Sequence, residues 1–160
     1  MPFYQFEQTQ LIESDISSVW DFISSPFNLA LITPDYLGFE VTSKTKSSKM
    51  YPGMILTYKV SPLWGIKLNW MTEITQVKEN DYFVDEQRVG PYKLWHHQHK
   101  IQQVEGGVLM TDIVTYQPPF WILGAFFNSL IIEKKLKEIF EYRTTAIENY
   151  FTKDIRYNQK

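Results

Sequence analysis

A chain of 160 residues with a net charge of -2, 44% hydrophobic and 16% aromatic, is long enough for one domain with a sizeable core. The lack of Cys excludes a disulfide framework, a thiolate nucleophile and Cys-ligated metal, and without a basic cluster nucleic acid is not an expected partner. No basic region followed by an apolar run marks a signal peptide, and the longest apolar stretch, Pro119 to Ile132, is too short to span a membrane, so a cytoplasmic location is expected.

Along the chain, Phe3 to Ile12 alternates as a first strand. Ser14-Asp15 offers a cap for a short helix over Ile16, Val19, Trp20, Phe22 and Ile23. Ser25-Pro26 restarts a helix, with Pro in the first turn, and Thr33-Pro34 stops it. Six segments of period two follow: Tyr36 to Thr42, Met54 to Val60, Ile66 to Val77, Tyr82 to Val89, Lys93 to Val104 and Val108 to Gln117. Turn chemistry separates them at Pro52-Gly53, Pro62 to Gly65, Lys78 to Asp81, Gly90-Pro91 and Gly106-Gly107, and Ser43 to Lys49 reads as a polar loop. From Pro118 to Tyr150 apolar residues recur at three- and four-residue steps, with Glu133, Lys134, Lys137 and Glu141 on the other side. That spacing predicts one amphipathic helix, roughly 45 Å long.

The fold class expected is α+β: a curved antiparallel β-sheet wrapped around a long C-terminal helix, with two short helices after the first strand. It forms a single domain over 1–152, followed by a tail at 153–160. Monomer and homodimer remain open, since an edge strand can pair two copies.

Hairpin register tests which side chains face the helix. A loop at Lys78 to Asp81 pairs Val77 with Tyr82 and sets Ile74 opposite Asp85 and Thr72 opposite Gln87. A loop at Gly90 to Tyr92 sets Asp85 opposite His97 and Gln87 opposite Trp95. A two-residue turn at Gly106-Gly107 sets His97 opposite Tyr116 and Ile101 opposite Asp112. Opposed residues share a face. The inward face therefore carries Trp70, Phe83, Trp95, Met110 and Val114, together with Asp85, Gln87, His97, His99 and Asp112. Carboxylates and imidazoles in an aromatic surface must pair, hydrogen-bond or border a cavity.

The run Phe83-Val84-Asp85-Glu86-Gln87, then Gly90-Pro91-Tyr92 and Trp95-His96-His97-Gln98-His99, resembles a signature of the START-like superfamily, also called SRPBCC or helix-grip. Met110-Thr111-Asp112 with Tyr116 and Pro119 extends the resemblance, as does Ile139-Phe140-Glu141-Tyr142-Arg143, and it covers essentially the whole chain. It is similar to small stand-alone bacterial members of the polyketide cyclase/dehydrase-like group. The resemblance implies a deep cavity between sheet and last helix that takes a hydrophobic ligand, and it implies no particular reaction.

Three roles stand open for the polar cluster. Asp85, Gln87, His97, His99 and Asp112 orient polar ligand atoms while Trp70, Trp95 and Tyr116 form aromatic walls, or the Asp and His residues form a structural hydrogen-bond network. As catalytic candidates, His97 serves as acid or base and Asp85 orients it, in a cyclase- or dehydratase-like reaction. His97 and His99, two residues apart, have a spacing compatible with metal, with Asp85 or Asp112 as third ligand, but the reading retained carries no metal and no cofactor. Arg143 reaches an anionic ligand group or pairs at the surface with Glu138 or Glu141, while His96 faces outward. Phe120 and Trp121, at the start of the long helix, pack on Trp20 and Phe27, close the cavity, or touch a membrane transiently during lipid exchange. The expected partner is a small hydrophobic or amphipathic ligand, lipid- or polyketide-like.

Overall fold

A computed structural model describes residues 3–61, 65–118 and 131–158. Its elements are β1 (Tyr4–Ile12), α1 (Ile16–Ile23), β2 (Glu40–Val41), β3 (Met54–Val60), β4 (Leu68–Lys78), β5 (Tyr82–Val89), β6 (Leu94–Val104), β7 (Gly107–Gln117) and α2 (Glu133–Asn158). The strands form one antiparallel sheet in the order β1-β7-β6-β5-β4-β3-β2. Consecutive strands are hairpin neighbours except β1, which closes on β7.

Local chemistry accounts for the early elements. Asp15 caps α1 by accepting from the Ser18 N–H at 2.9 Å, and Val19, Trp20, Phe22 and Ile23 form its buried face. The second short helix is a 3-10 turn at Pro26–Asn28, and the Ser25 side chain makes no capping bond. The strand expected over Tyr36 to Thr42 shrinks to Glu40–Val41, because Asp35–Leu37 forms another 3-10 turn that ends on left-handed Gly38.

The α2 helix buries Leu136, Phe140, Ile147 and Phe151 against the sheet. Phe140 meets Phe6 of β1 at 4.9 Å between ring centroids, and Gln10 Nε2 donates to the Thr144 carbonyl at 2.9 Å. The helix runs on to Asn158, through most of the stretch read as a tail. The expected first part of the long helix, with Phe120 and Trp121, lies outside the described residues. No described helix is long and apolar enough to cross a membrane.

Two register expectations need correction. Tyr82 pairs with Lys78 rather than Val77, yet Ile74 still faces Asp85 and Thr72 still faces Gln87. A bulge at Thr75 absorbs the one-residue difference and restores the pairing that the apolar pattern requires. At the last hairpin the turn is Glu105-Gly106, so His97 faces Val114, His99 faces Asp112 and Ile101 faces Met110. Gly107 begins the strand itself: a Cβ there would lie 2.2 Å from the Ile12 carbonyl oxygen, so its glycine serves the close approach of β1. The slip relative to expectation is two residues, which leaves every side chain on its expected face.

Candidate functional site

Adjacent strands bring four ionisable side chains to one level of the inner face. His97 and His99 point inward together because they are two apart on β6. Asp85 on β5 is opposite His97, and Asp112 on β7 is opposite His99. The His97 ring lies between the two carboxylates, with Nε2 hydrogen-bonded to Asp112 Oδ1 at 3.0 Å and Nδ1 3.4 Å from Asp85 Oδ2. The His99 ring does the same, with Nε2 hydrogen-bonded to Asp85 Oδ2 at 3.0 Å and Nδ1 2.7 Å from Asp112 Oδ1. The two imidazoles overlap at 3.7 Å between centroids, and Phe83 stacks on the other side of His99 at 4.1 Å.

Arg143 reaches this ring from α2. Its Nη1 lies 3.6 Å from Asp112 Oδ1, and its guanidinium sits 4.7 Å from the centroid of Phe140. The surface pairing with Glu138 or Glu141 is therefore replaced by a buried one; Glu138 pairs with Lys135 instead. Among the described residues, the buried Nε and Nη1 of Arg143 have no hydrogen-bond partner.

The electrostatics of the ring follow from its burial and its mixed charges. Burial pushes the Asp112 carboxyl up, but the His99 charge, hydrogen bonds from both imidazoles and Arg143 outweigh it and hold Asp112 well below the usual carboxylate range. Asp85 is also pushed up by burial and brought net below its ordinary value by the His99 hydrogen bond and the charges of His97, His99 and Arg143. Burial and the neighbouring His99 cation lower His97 to about 4, against the pull of Asp112 and Asp85. For His99 the balance reverses: burial lowers it, but Asp112 and Asp85 together raise it. The two carboxylates thus hold their charge, His97 is neutral near pH 7, and His99 takes up a proton more readily than a free imidazole.

Beside the ring lies a pocket of about 150 Å³ between the sheet and α2. Asp85, His97, His99 and Arg143 are its charged or titratable edge, and Trp70, Trp95, Tyr58, Tyr92, Leu136 and Phe140 are among its walls. The aromatics brace one another: Trp70 meets Trp95 edge-on at 5.4 Å, and Tyr92 packs on Trp95 at 4.9 Å. The Tyr58 hydroxyl is hydrogen-bonded to Thr72, and Trp70 Nε1 donates to the same Thr72 oxygen at 3.1 Å. Burial, then the Asp85 charge, pushes the Tyr58 phenol up, so it stays neutral.

Of the residues expected at the site, Trp70, Asp85, Trp95, His97, His99 and Arg143 line the pocket. Asp112 stands behind the two imidazoles. Tyr116 is not among the lining residues but is buried behind them, stacked on Tyr4 at 5.7 Å and packed on the wall residues Tyr92 and Trp95 at 6.0 and 6.4 Å. Gln87 serves the neighbouring turn: its Nε2 donates to the Tyr92 carbonyl at 2.6 Å and its Oε1 accepts from the Tyr92 N–H at 3.2 Å. A Cβ at Gly90 would lie 2.3 Å from the Gln87 amide oxygen, so a larger residue there would push that side chain off its bonds to Tyr92. The β5–β6 register is the expected one, with Asp85 opposite His97, and the described pairing runs as far as Glu86 opposite His96. His96 faces outward as expected, but it pairs with Glu86 at 3.0 Å rather than standing in solvent.

Tyr58, Tyr92, Leu136 and Phe140 are pocket residues that were not singled out as ligand contacts. Tyr58 had a usable signal: it shares the even face of β3 with Met54, Leu56 and Val60, and it pairs with Trp70. Tyr92 lies in a turn, where periodicity says nothing about direction.

Comparison with known proteins adds the family. The family described as polyketide cyclase / dehydrase and lipid transport matches residues 12–137. The chain belongs to that family. Solved structures share its fold along nearly the full length. A protein of Mycobacterium smegmatis is 18% identical with a TM-score of 0.68, covering 94% of this chain and 92% of that one. A protein of Nitrosomonas europaea is 12% identical with a TM-score of 0.69, covering 95% and 96%. Major latex-like protein 151 of Panax ginseng is 12% identical with a TM-score of 0.65, covering 93% and 97%. At these identities the likeness establishes the helix-grip fold alone. No curated protein matches the chain in sequence.

Proposed function

We propose that this protein binds a small hydrophobic or amphipathic molecule, lipid- or polyketide-like, between the sheet and α2. The observation that carries this reading is the make-up of the pocket: aromatic and aliphatic walls, with polar side chains gathered at one edge. An apolar body fits the walls, and an acceptor group on the ligand fits the unpartnered Nε and Nη1 of Arg143. The lipid-transport and cyclase activities in the family description support the same ligand class. A volume of about 150 Å³ suits one ring or a short chain; a longer lipid would have to displace side chains.

A second reading is favoured by the position of the ring, since Asp85 and His97 open directly onto the pocket. In it, the bound molecule undergoes cyclase- or dehydratase-like proton transfer, with neutral His97 as base and Asp85 orienting it.

Native mass spectrometry of the purified protein, followed by denaturing extraction, tests the binding reading. A discrete apolar mass is expected from the wild type. Trp95→Ala, which removes an aromatic wall, should weaken that ligand by about tenfold or more. An empty protein that also fails to quench its tryptophan fluorescence with fatty acids, sterols or polyaromatics would reject the reading. If the extracted molecule is a substrate, His97→Gln loses turnover while keeping affinity; a carrier shows no turnover to lose.

A further inference from the structure

The Asp85–His97–His99 cluster gathers one potential ligand atom from each of three residues around a single point on the inner face. Asp112 Oδ1 lies 3.0 Å from His97 Nε2 and 2.7 Å from His99 Nδ1. An ionised carboxylate only accepts, so Asp112 holds an N–H of each ring. The remaining nitrogens, His97 Nδ1 and His99 Nε2, are then the ones turned toward Asp85, and the proton in the His99 Nε2–Asp85 hydrogen bond is the one that a cation would displace. Both nitrogens face the same atom, Asp85 Oδ2, at 3.4 and 3.0 Å. Displacing that proton leaves three donor atoms gathered around one point, where a cation can take its place.

We propose that Asp85, His97 and His99 bind a divalent transition-metal cation, through Asp85 Oδ2, His97 Nδ1 and His99 Nε2, with Asp112 fixing both imidazole tautomers. This extends beyond the apolar-ligand reading and replaces the metal-free expectation from the sequence. The two donor distances that meet at Asp85 match such a site. Around a tetrahedral ion with ligands at about 2.0–2.1 Å, neighbouring donor atoms stand about 3.3 Å apart. The two edges that meet at Asp85 Oδ2 are 3.0 and 3.4 Å, and one ligand atom from each of the three residues lies within 4.8 Å of the others. A metal-bound histidine commonly gives its second N–H to a carboxylate, and here one carboxylate serves both rings.

Charge and access agree with this assignment. Arg143, 3.6 Å from Asp112, offsets that carboxylate, so Asp85 is the charge left to meet the cation. The three ligand residues border the pocket, leaving the remaining coordination positions to water or to a donor atom on a bound molecule. Two imidazoles and one carboxylate suit Zn²⁺, Fe²⁺ or Co²⁺ rather than Mg²⁺ or Ca²⁺.

The test is titration of the EDTA-dialysed full-length protein with Co²⁺, which needs no organic ligand. A visible d–d absorption saturating at one equivalent, displaced by Zn²⁺ and unaffected by Mg²⁺, is expected. Asp85→Asn and His99→Gln should abolish that absorption, and Asp112→Asn should weaken Co²⁺ by about 10–100-fold. His96→Gln, on the outward face of the same strand, should leave it unchanged. Circular dichroism checks the fold of each variant. Should the variants fail to fold, ¹⁵N-imidazole NMR of the wild type replaces them: Zn²⁺ should shift His97 Nδ1 and His99 Nε2 while their partner nitrogens keep their protons. No absorption at one equivalent, absorption that survives Asp85→Asn with His99→Gln, or Zn²⁺ shifts confined to His96 would overturn the proposal.

Discussion

Strands β6 and β7 cross two differently built parts of the core. Beneath α1, Ile101, Val108 and Met110 join Trp20, Phe22, Ile74 and Ile147 in a cluster of hydrophobic side chains. One step along the same strands, His97, His99 and Asp112 occupy the same inner face and are equally buried. The apolar part gains free energy in proportion to area and tolerates any close packing. The polar part gains little net stability, because desolvation offsets much of its ion pairing, and it holds only while every member has a partner. Stability is therefore concentrated under α1, and chemical specificity beside α2. Neighbouring residues on one strand can serve these different ends because both parts obey the same period-two rule.

Substitutions on the two sides should behave differently. The largest effect is expected from Asp112→Ala, which strands two imidazoles and Arg143 around a missing acceptor; urea unfolding should show a loss of about 3–5 kcal/mol. Ile147→Ala, in the apolar part, should cost about 3 kcal/mol through the cavity it leaves, yet keep Co²⁺ binding in the folded protein. If it abolished Co²⁺ binding without unfolding the chain, the two parts would not be separable. Gly107→Ala should cost about 2 kcal/mol, because its φ of 148° and the Ile12 carbonyl leave no room for a Cβ. Hydrogen exchange should rise first along the β1–β7 seam. Asp15→Ala removes the α1 cap and should cost about 1 kcal/mol at neutral pH. Hydrogen bonds from Ser18 hold the Asp15 carboxyl below its ordinary value, so this contribution is present above the unfolded-state pKa and lost as pH falls through the folded one. The gap between wild type and Asp15→Ala should narrow in acid, measured by the same unfolding curves.

Most of the inner face was legible before the structure. Trp70, Phe83, Met110 and Val114 are buried as the alternation requires, and so are His97, His99 and Asp112. The assignment survived two errors in register, since the Thr75 bulge corrected one and the other was a shift of two. Period-two patterning is a parity, and parity is insensitive to both.

Sequence alone thus determined the strand set, the terminal helix and the residues that face it, because burial imposes a periodicity that can be read one residue at a time. Tertiary structure alone decided which of those residues meet. The choice of His99 rather than Ile101 opposite Asp112 depends on where the last turn closes, and that is governed by the approach of Ile12 to Gly107 from the far end of the chain. The burial of Arg143 against Asp112 depends on how α2 crosses the sheet. Contacts of that kind join elements distant in sequence, and no local pattern encodes the distance between them.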